Sequence, residues 1–304
     1  VRGHKENVRN YRGGRVANDS VSVDFGEGMT RKPASLLFRV FDSLADVSHV
    51  KKIIIRSWYQ YLSGLDKDAS VTFMNYGYAQ LNPQARDIEL RPEDLPNRYC
   101  IQLYHRVSEG VELRGKNVLE IGSGRGGGAS FIARYRQPSS MTGLDFSSKA
   151  IAFCQGHYRD EGLSFLHGDA ERLPLPANSF DAVINVESAH CYNSMERFLR
   201  EVTRVLRTGG HFLFADLREQ GTVPLLREQL KRAGLRLLEE ELINANVLKA
   251  LELDSERKLA LIRSKAPKFM RGRVEEFAGL KGSPVYKRFL TGEWEYMRFA
   301  LQKV

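Results

Sequence analysis

The sequence predicts an α/β protein in which a largely parallel sheet is covered by helices on both faces. Three observations predict it. From Lys116 onward, short apolar runs alternate with helical segments of about ten to fifteen residues, the pattern of β–α–β units. A glycine cluster closes the first apolar run, where such sheets bind ligands. Hydrophobic residues make up 42% of the 304-residue chain, so a substantial core is available.

Residues 1–30, rich in Gly, Arg, Asn, Asp and Ser, read as a polar leader or linker. After Pro33 and Ser35, Leu36, Leu37, Val40, Phe41, Leu44 and Val47 recur at helical spacing, and 53–62 is a second helical segment. The stretch 71–96 is irregular, broken by Pro83, Pro92 and Pro96, and Asn97 opens a helix through Ile101, Leu103, Tyr104 and Val107. Residues 31–110 are assigned to a helical N-terminal lid and 111–304 to the core.

Within the core, strands are expected at 118–121, 141–146, 163–166, 181–186, 211–215 and 235–243. Helices are expected at 128–136, 147–159, 195–206 and 224–233. Residues 244–293 are helical in pattern and form an insertion before a last strand at 294–301. There is no internal repeat.

Composition excludes several classes. No apolar run approaches the ~18 residues that span a bilayer, and residues 1–10 have no apolar signal core. Cys100, Cys154 and Cys191 are widely separated and show no CxxC spacing, which suits a reducing cytoplasm and gives neither a disulfide framework nor a metal site. Lys plus Arg exceed Asp plus Glu by 46 to 37, a formal charge of +9, yet no basic stripe marks a nucleic-acid surface.

The most informative string is Val118-Leu-Glu-Ile-Gly-Ser-Gly-Arg-Gly-Gly-Gly128. Gly122, Gly124 and Gly126 let the backbone approach a ligand, and the next helix is expected to offer its N-terminal amides to it. Alone, the string also fits the loop of NAD-binding proteins, with Asp145 about 20 residues on for ribose hydroxyls. Glu120 argues otherwise, since a carboxylate before the first glycine suits a cationic amine. Asp169, in Gly168-Asp-Ala170, falls at the end of the third strand, where it can accept an adenine amino group.

With Gly143-x-Asp145, Gly168-Asp-Ala, Leu173-Pro-x-Pro…Ser-Phe-Asp181 and Arg204-Val-Leu-Arg-x-Gly-Gly210, the region 118–217 resembles the class I S-adenosylmethionine-dependent methyltransferases. The resemblance implies a Rossmann-like sheet of seven strands, the last antiparallel. It also implies S-adenosylmethionine as cofactor and S-adenosylhomocysteine as product. It places cofactor contacts on Glu120, Gly122, Ser123, Gly124, Asp145, Phe146, Asp169, Ala170 and Asn185, with Gln102 added from the preceding helix.

Methyl transfer to a poorly acidic hydroxyl benefits from a general base. The fourth strand ends Asn185-Val-Glu-Ser-Ala-His-Cys-Tyr192. If a helical turn follows, Glu187 and His190 share a face at i and i+3, so the carboxylate can orient the imidazole as base. Tyr76, Tyr78, Tyr104 and Tyr192 are assigned to substrate or lid contacts.

The strings Met74-Asn-Tyr-Gly-Tyr78, Asn97-Arg-x-Cys-Ile-Gln-Leu-Tyr104 and 185–192 are similar to phthiotriol/phenolphthiotriol dimycocerosate methyltransferases, fatty-acid O-methyltransferases and O-methyltransferase domains of polyketide synthases. That implies O-methylation of a polyketide or lipid-like substrate. Processing or excision from a longer polypeptide would each explain the initial valine, which with the linker-like start favours an excised synthase domain, and +9 suits an acidic acyl carrier protein as partner. C- or N-methylation, and an NAD-dependent oxidoreductase, are the alternatives.

Overall fold

The computed structural model describes residues 69–82, 84 and 88–304; the leader 1–30 and the expected helices at 36–47 and 53–62 lie outside the described residues. Strands β1 (Asn117–Ile121), β2 (Ser140–Asp145), β3 (Leu163–His167), β4 (Phe180–Val186), β5 (Leu206–Glu219), β6 (Leu235–Leu242) and β7 (Trp294–Lys303) form one sheet in the order β3-β2-β1-β4-β5-β7-β6. The first five strands are parallel, and β7 enters antiparallel between β5 and β6. This is the Rossmann-like class I methyltransferase arrangement that the strand–helix alternation and the motifs implied.

The helices are α1 (Arg98–Ser108), α2 (Gly127–Arg136), α3 (Ser148–His157), α4 (Met195–Val205), α5 (Val223–Arg232), α6 (Asn244–Lys265), α7 (Arg271–Phe277) and α8 (Pro284–Thr291). Side-chain alternation along β5 assigns the two cores. Phe212 and Phe214 pack with α4 and α5 through Phe198, Leu226 and Leu230. Leu213 and Ala215 face Ile101, Phe131, Val247 and Phe289 of α1, α2, α6 and α8. Phe214 stacks on Phe299 of β7 at 5.9 Å, so aromatic packing ties the antiparallel strand to its neighbour.

Strand β5 is longer than the expected 211–215. Phe180 pairs with Leu206 but Ala182 with His211, so a bulge absorbs the Arg-Thr-Gly-Gly turn and pairing resumes beyond it. Helix α1 fulfils the opening at Asn97, and it packs against α2, β5 and β7. Residues 70–79, ahead of it, form an irregular strap that main-chain bonds fix to three places. Gly127 N donates to Thr72 O at 3.2 Å, Tyr78 N to Tyr99 O at 2.9 Å, and Ala79 N to Asn246 O on α6 at 3.2 Å.

Candidate active site

The glycine loop is held from below. Gly122 N and Ser123 N donate to Leu144 O at 2.7 and 3.0 Å, and Gly124 N donates to Asp145 Oδ2 at 2.8 Å. Gly122 has φ +78°, and a Cβ there would overlap the Ser188 hydroxyl, so only glycine combines that backbone with this approach of β4's end. At the start of α2, two amides are spent within the protein. Gly126 N donates to Ser123 O and Gly127 N to Thr72 O. A loop with these amides spent makes a poor pyrophosphate cradle, which weighs against the dinucleotide alternative.

Around the loop runs a cleft of about 130 Å³. Its walls include Gly122, Ser123, Gly124, Asp145, Phe146, Asp169 and Ala170, brought together from the ends of β1, β2 and β3 as the motifs required. Tyr104, Glu187 and Tyr192 close it from the other side. Asp145 accepts from both Gly124 N and Ser147 N, and burial nonetheless raises its pKa above the usual carboxylate value.

Glu120, Asn185 and Gln102 stand behind this lining rather than in it. Glu120 is fully buried; its Oε1 accepts the Tyr104 hydroxyl at 2.5 Å, while Oε2 has no partner. Burial pushes its carboxyl up to about 8, although the Tyr104 bond works the other way. Asn185 uses Nδ2 to bind Ile121 O at 2.8 Å and the hydroxyls of Ser188 and Tyr192, tying the ends of β1 and β4 together. Buried unpaired atoms gather here: Asn75 Oδ1, Gln102 Oε1, Glu120 Oε2, Asn185 Oδ1 and Ser123 Oγ. Asn75 and Asn185 donate through Nδ2 to main-chain carbonyls, which fixes their free atoms as oxygens. Such atoms are costly unless a donor-rich ligand satisfies them.

The expected Glu187–His190 pair does not form. Glu187 sits at φ +47°, so the chain turns sharply before the 3₁₀ turn Ala189–Cys191 and the two side chains do not share a helical face. Glu187 Oε1 instead accepts from Tyr76 N at 2.7 Å and from the Tyr296 hydroxyl at 2.8 Å, which anchors the strap to β7. Burial raises its carboxyl to about 7.

The partner of His190 is Asp216, a residue the sequence reading missed. Nδ1 lies 2.7 Å from Asp216 Oδ1, and the amide of His190 donates to Oδ2 at 2.8 Å. Arg218 binds the same Oδ2 at 2.5 Å. Burial works against the charged imidazole, but Cys191 and Asp216 win and hold its pKa well above the usual histidine value. For Asp216, burial is outweighed by Arg218 and His190, and the carboxyl lies below its usual range. Signals for Asp216 were available only in retrospect: a lone acid inside an apolar run, Phe212 to Leu217, at the end of the strand beside β4.

Of the four tyrosines, Tyr104 and Tyr192 line the cleft, whereas Tyr76 lines a neighbouring cavity and Tyr78 is packed in the core. Among the described residues no cluster of His, Cys, Asp and Glu has metal-binding geometry, and no helix is long and apolar enough to cross a membrane.

Residues 119–214 match the family described as a methyltransferase domain, so fold and family together define a class I methyltransferase. The chain is 40% identical over 253 residues to the phthiotriol/phenolphthiotriol dimycocerosates methyltransferase of Mycobacterium tuberculosis, covering 83% of this chain and 93% of that one. It is 38% identical over 245 residues to the fatty-acid O-methyltransferase of Mycolicibacterium smegmatis, covering 81% and 88%. The chain belongs to the family of these methyltransferases. Among solved structures, the cyclase SpnF aligns with a TM-score of 0.63 at 22% identity, over 81% of this chain and 94% of that one. A geranyl diphosphate methyltransferase in complex with SAM aligns at 0.58 and 16% identity, over 77% and 100%. One scaffold thus carries different activities, and the chemistry must be argued from the site.

Proposed function

We propose that the chain binds S-adenosylmethionine and transfers its methyl group to a hydroxyl of a lipid-like or polyketide-like acceptor. The observation that carries the cofactor assignment is the donor-poor, acceptor-rich surround of the glycine loop. Loop amides are consumed internally, while Glu120 Oε2 and the amide oxygens of Asn75, Gln102 and Asn185 lack donors. That set of acceptors fits an ammonium and a sulfonium and disfavours a pyrophosphate. Tyr104 and Glu120 would orient the ammonium, Asp145 the ribose hydroxyls, and Asp169 with Phe146 the adenine.

Bound there, S-adenosylmethionine supplies an already activated methyl group. The chain's part is to place the acceptor and to take its proton. Asp216 holds Nδ1 of His190, which fixes the tautomer and leaves Nε2 as the base for the acceptor hydroxyl. In the chain His190 falls between Glu187 and Cys191, both of which line the cleft; His190 itself stands behind that lining, with its side chain 23% exposed. The names of the relatives, one acting on phthiotriol and one on fatty acids, support an oxygen acceptor on a long apolar molecule. A chain tethered to an acidic carrier protein is the second reading, favoured by the +9 charge.

Calorimetry with S-adenosylhomocysteine and NAD, joined to labelled-methyl transfer onto a hydroxylated lipid, tests the assignment. Saturable binding of the former and none of the latter is expected. NAD binding without a response to S-adenosylhomocysteine would overturn it.

A further inference from the structure

A second cavity of about 160 Å³ lies across the strap from the cofactor cleft, between α1, α6 and α7. Phe73, Met74, Asn75 and Arg125 line both. Its floor is apolar, built from Leu261, Ile262, Ala266, Val274, Phe277 and Ala278. Against that floor stand Arg125, Arg257, Lys258 and Lys265, and among the described residues the lining contains no Asp or Glu.

Three of these cations are already engaged. Arg125 donates to Val71 O at 2.6 Å and covers the Phe153 ring at 3.6 Å. Arg257 grips both oxygens of Asp254 at 2.6 Å, and Lys265 has a contact of its own. Lys258 has no hydrogen bond or ion pair among the described residues. It lines the second cavity but not the cofactor cleft. An ammonium without a partner beside an apolar floor is complementary to a monoanion with a long hydrocarbon tail.

We propose that the second cavity is the acceptor chamber for a long-chain hydroxy acid, with the tail between α6 and α7 and the carboxylate on Lys258. This rests on the methyl-transfer reading, which leaves the substrate open, and deepens it. The carboxylate is the handle and the nearby hydroxyl is the group presented to the cofactor. Lys258 is a specificity-determining residue: it selects the charged head and takes no part in proton removal.

The test uses the full chain saturated with S-adenosylhomocysteine and titrated with a long-chain 3-hydroxy acid, the matching uncharged 1,3-diol, and a monoalkyl phosphate of equal length. The wild type should prefer the acid to the diol by about tenfold, the worth of one charged hydrogen bond. Lys258→Met should abolish that preference while leaving diol and S-adenosylhomocysteine affinities unchanged. Ala278→Trp should weaken acid and diol together by filling the floor, again with the cofactor product still bound. Equal binding of acid and diol by the wild type, or an unaltered preference in Lys258→Met, overturns the role of Lys258. Unaltered binding in Ala278→Trp overturns the chamber, and tighter binding of the phosphate overturns the carboxylate assignment. Loss of S-adenosylhomocysteine binding by the wild type would instead strike the methyl-transfer reading itself.

Discussion

His190 and Asp216 meet across the carboxyl ends of adjacent strands, joined twice: ring to carboxylate at 2.7 Å and main-chain amide to the same carboxylate at 2.8 Å. The double attachment fixes both the position and the rotation of the imidazole. Replacing His190 by Ala should lower single-turnover methyl transfer about 10²–10⁴-fold, the usual worth of a general base. Cofactor affinity, measured in parallel, should be nearly unchanged. Asp216→Asn should cost less, since the ring keeps its place but loses the charge that supports it. Turnover of His190→Ala within about threefold of wild type would leave no room for a base of that size.

The same pair dictates a pH profile. A base must be unprotonated, and the pKa of His190 is held well above the usual histidine value of 6.5. The rate should therefore climb with pH through the alkaline side of neutrality, and Asp216→Asn should move that limb toward acid. Stability runs oppositely. The raised histidine contributes stability that is complete below 6.5 and lost as pH rises through its folded pKa. Asp216, lowered, contributes above 3.8 and loses its contribution as pH falls through its folded pKa. Thermal melts from pH 3 to 10, compared with His190→Ala, should show a flatter alkaline limb in the variant.

Glu120 should reveal the cofactor by its proton. Its buried carboxyl titrates at about 8 rather than 4.5, so without ligand its ionisation costs stability increasingly as pH rises through that range. A bound ammonium would draw the group back to its ionised form and expel the proton. Calorimetry near pH 7 in buffers of differing ionisation enthalpy should detect that release in the wild type. Glu120→Gln should release none, bind the cofactor more weakly, and melt higher than the wild type when empty.

Gly128 should tolerate no side chain. A Cβ there would overlap the Tyr104 ring and hydroxyl, the group that binds Glu120. Gly128→Ala should cost about 1–3 kcal/mol by overpacking and should also weaken cofactor binding. Paired denaturant melts and titrations check both, and a fully stable variant with wild-type affinity would mean that Tyr104 is free to move.

What the sequence disclosed and what it withheld divide along a physical line. Strand order and the glycine loop follow from local periodicity and from residues whose spacing along the chain matters. The base's partner does not. Asp216 is 26 residues from His190, and their meeting depends on how β5 registers against β4 after a bulge. Glu187 misled because its left-handed φ breaks the helical spacing that would have paired it with His190. The strap was unreadable for another reason. Its fastenings draw mostly on the strap's own main-chain atoms, which leave little mark on its residue identities.

That strap is a party wall. Phe73, Met74 and Asn75 face the cofactor cleft on one side and the second cavity on the other. Any displacement that enlarges one room is subtracted from the other. An occupant of either side that displaces the strap should therefore alter the fit available to its neighbour, with an influence that thermodynamic reciprocity makes equal in both directions.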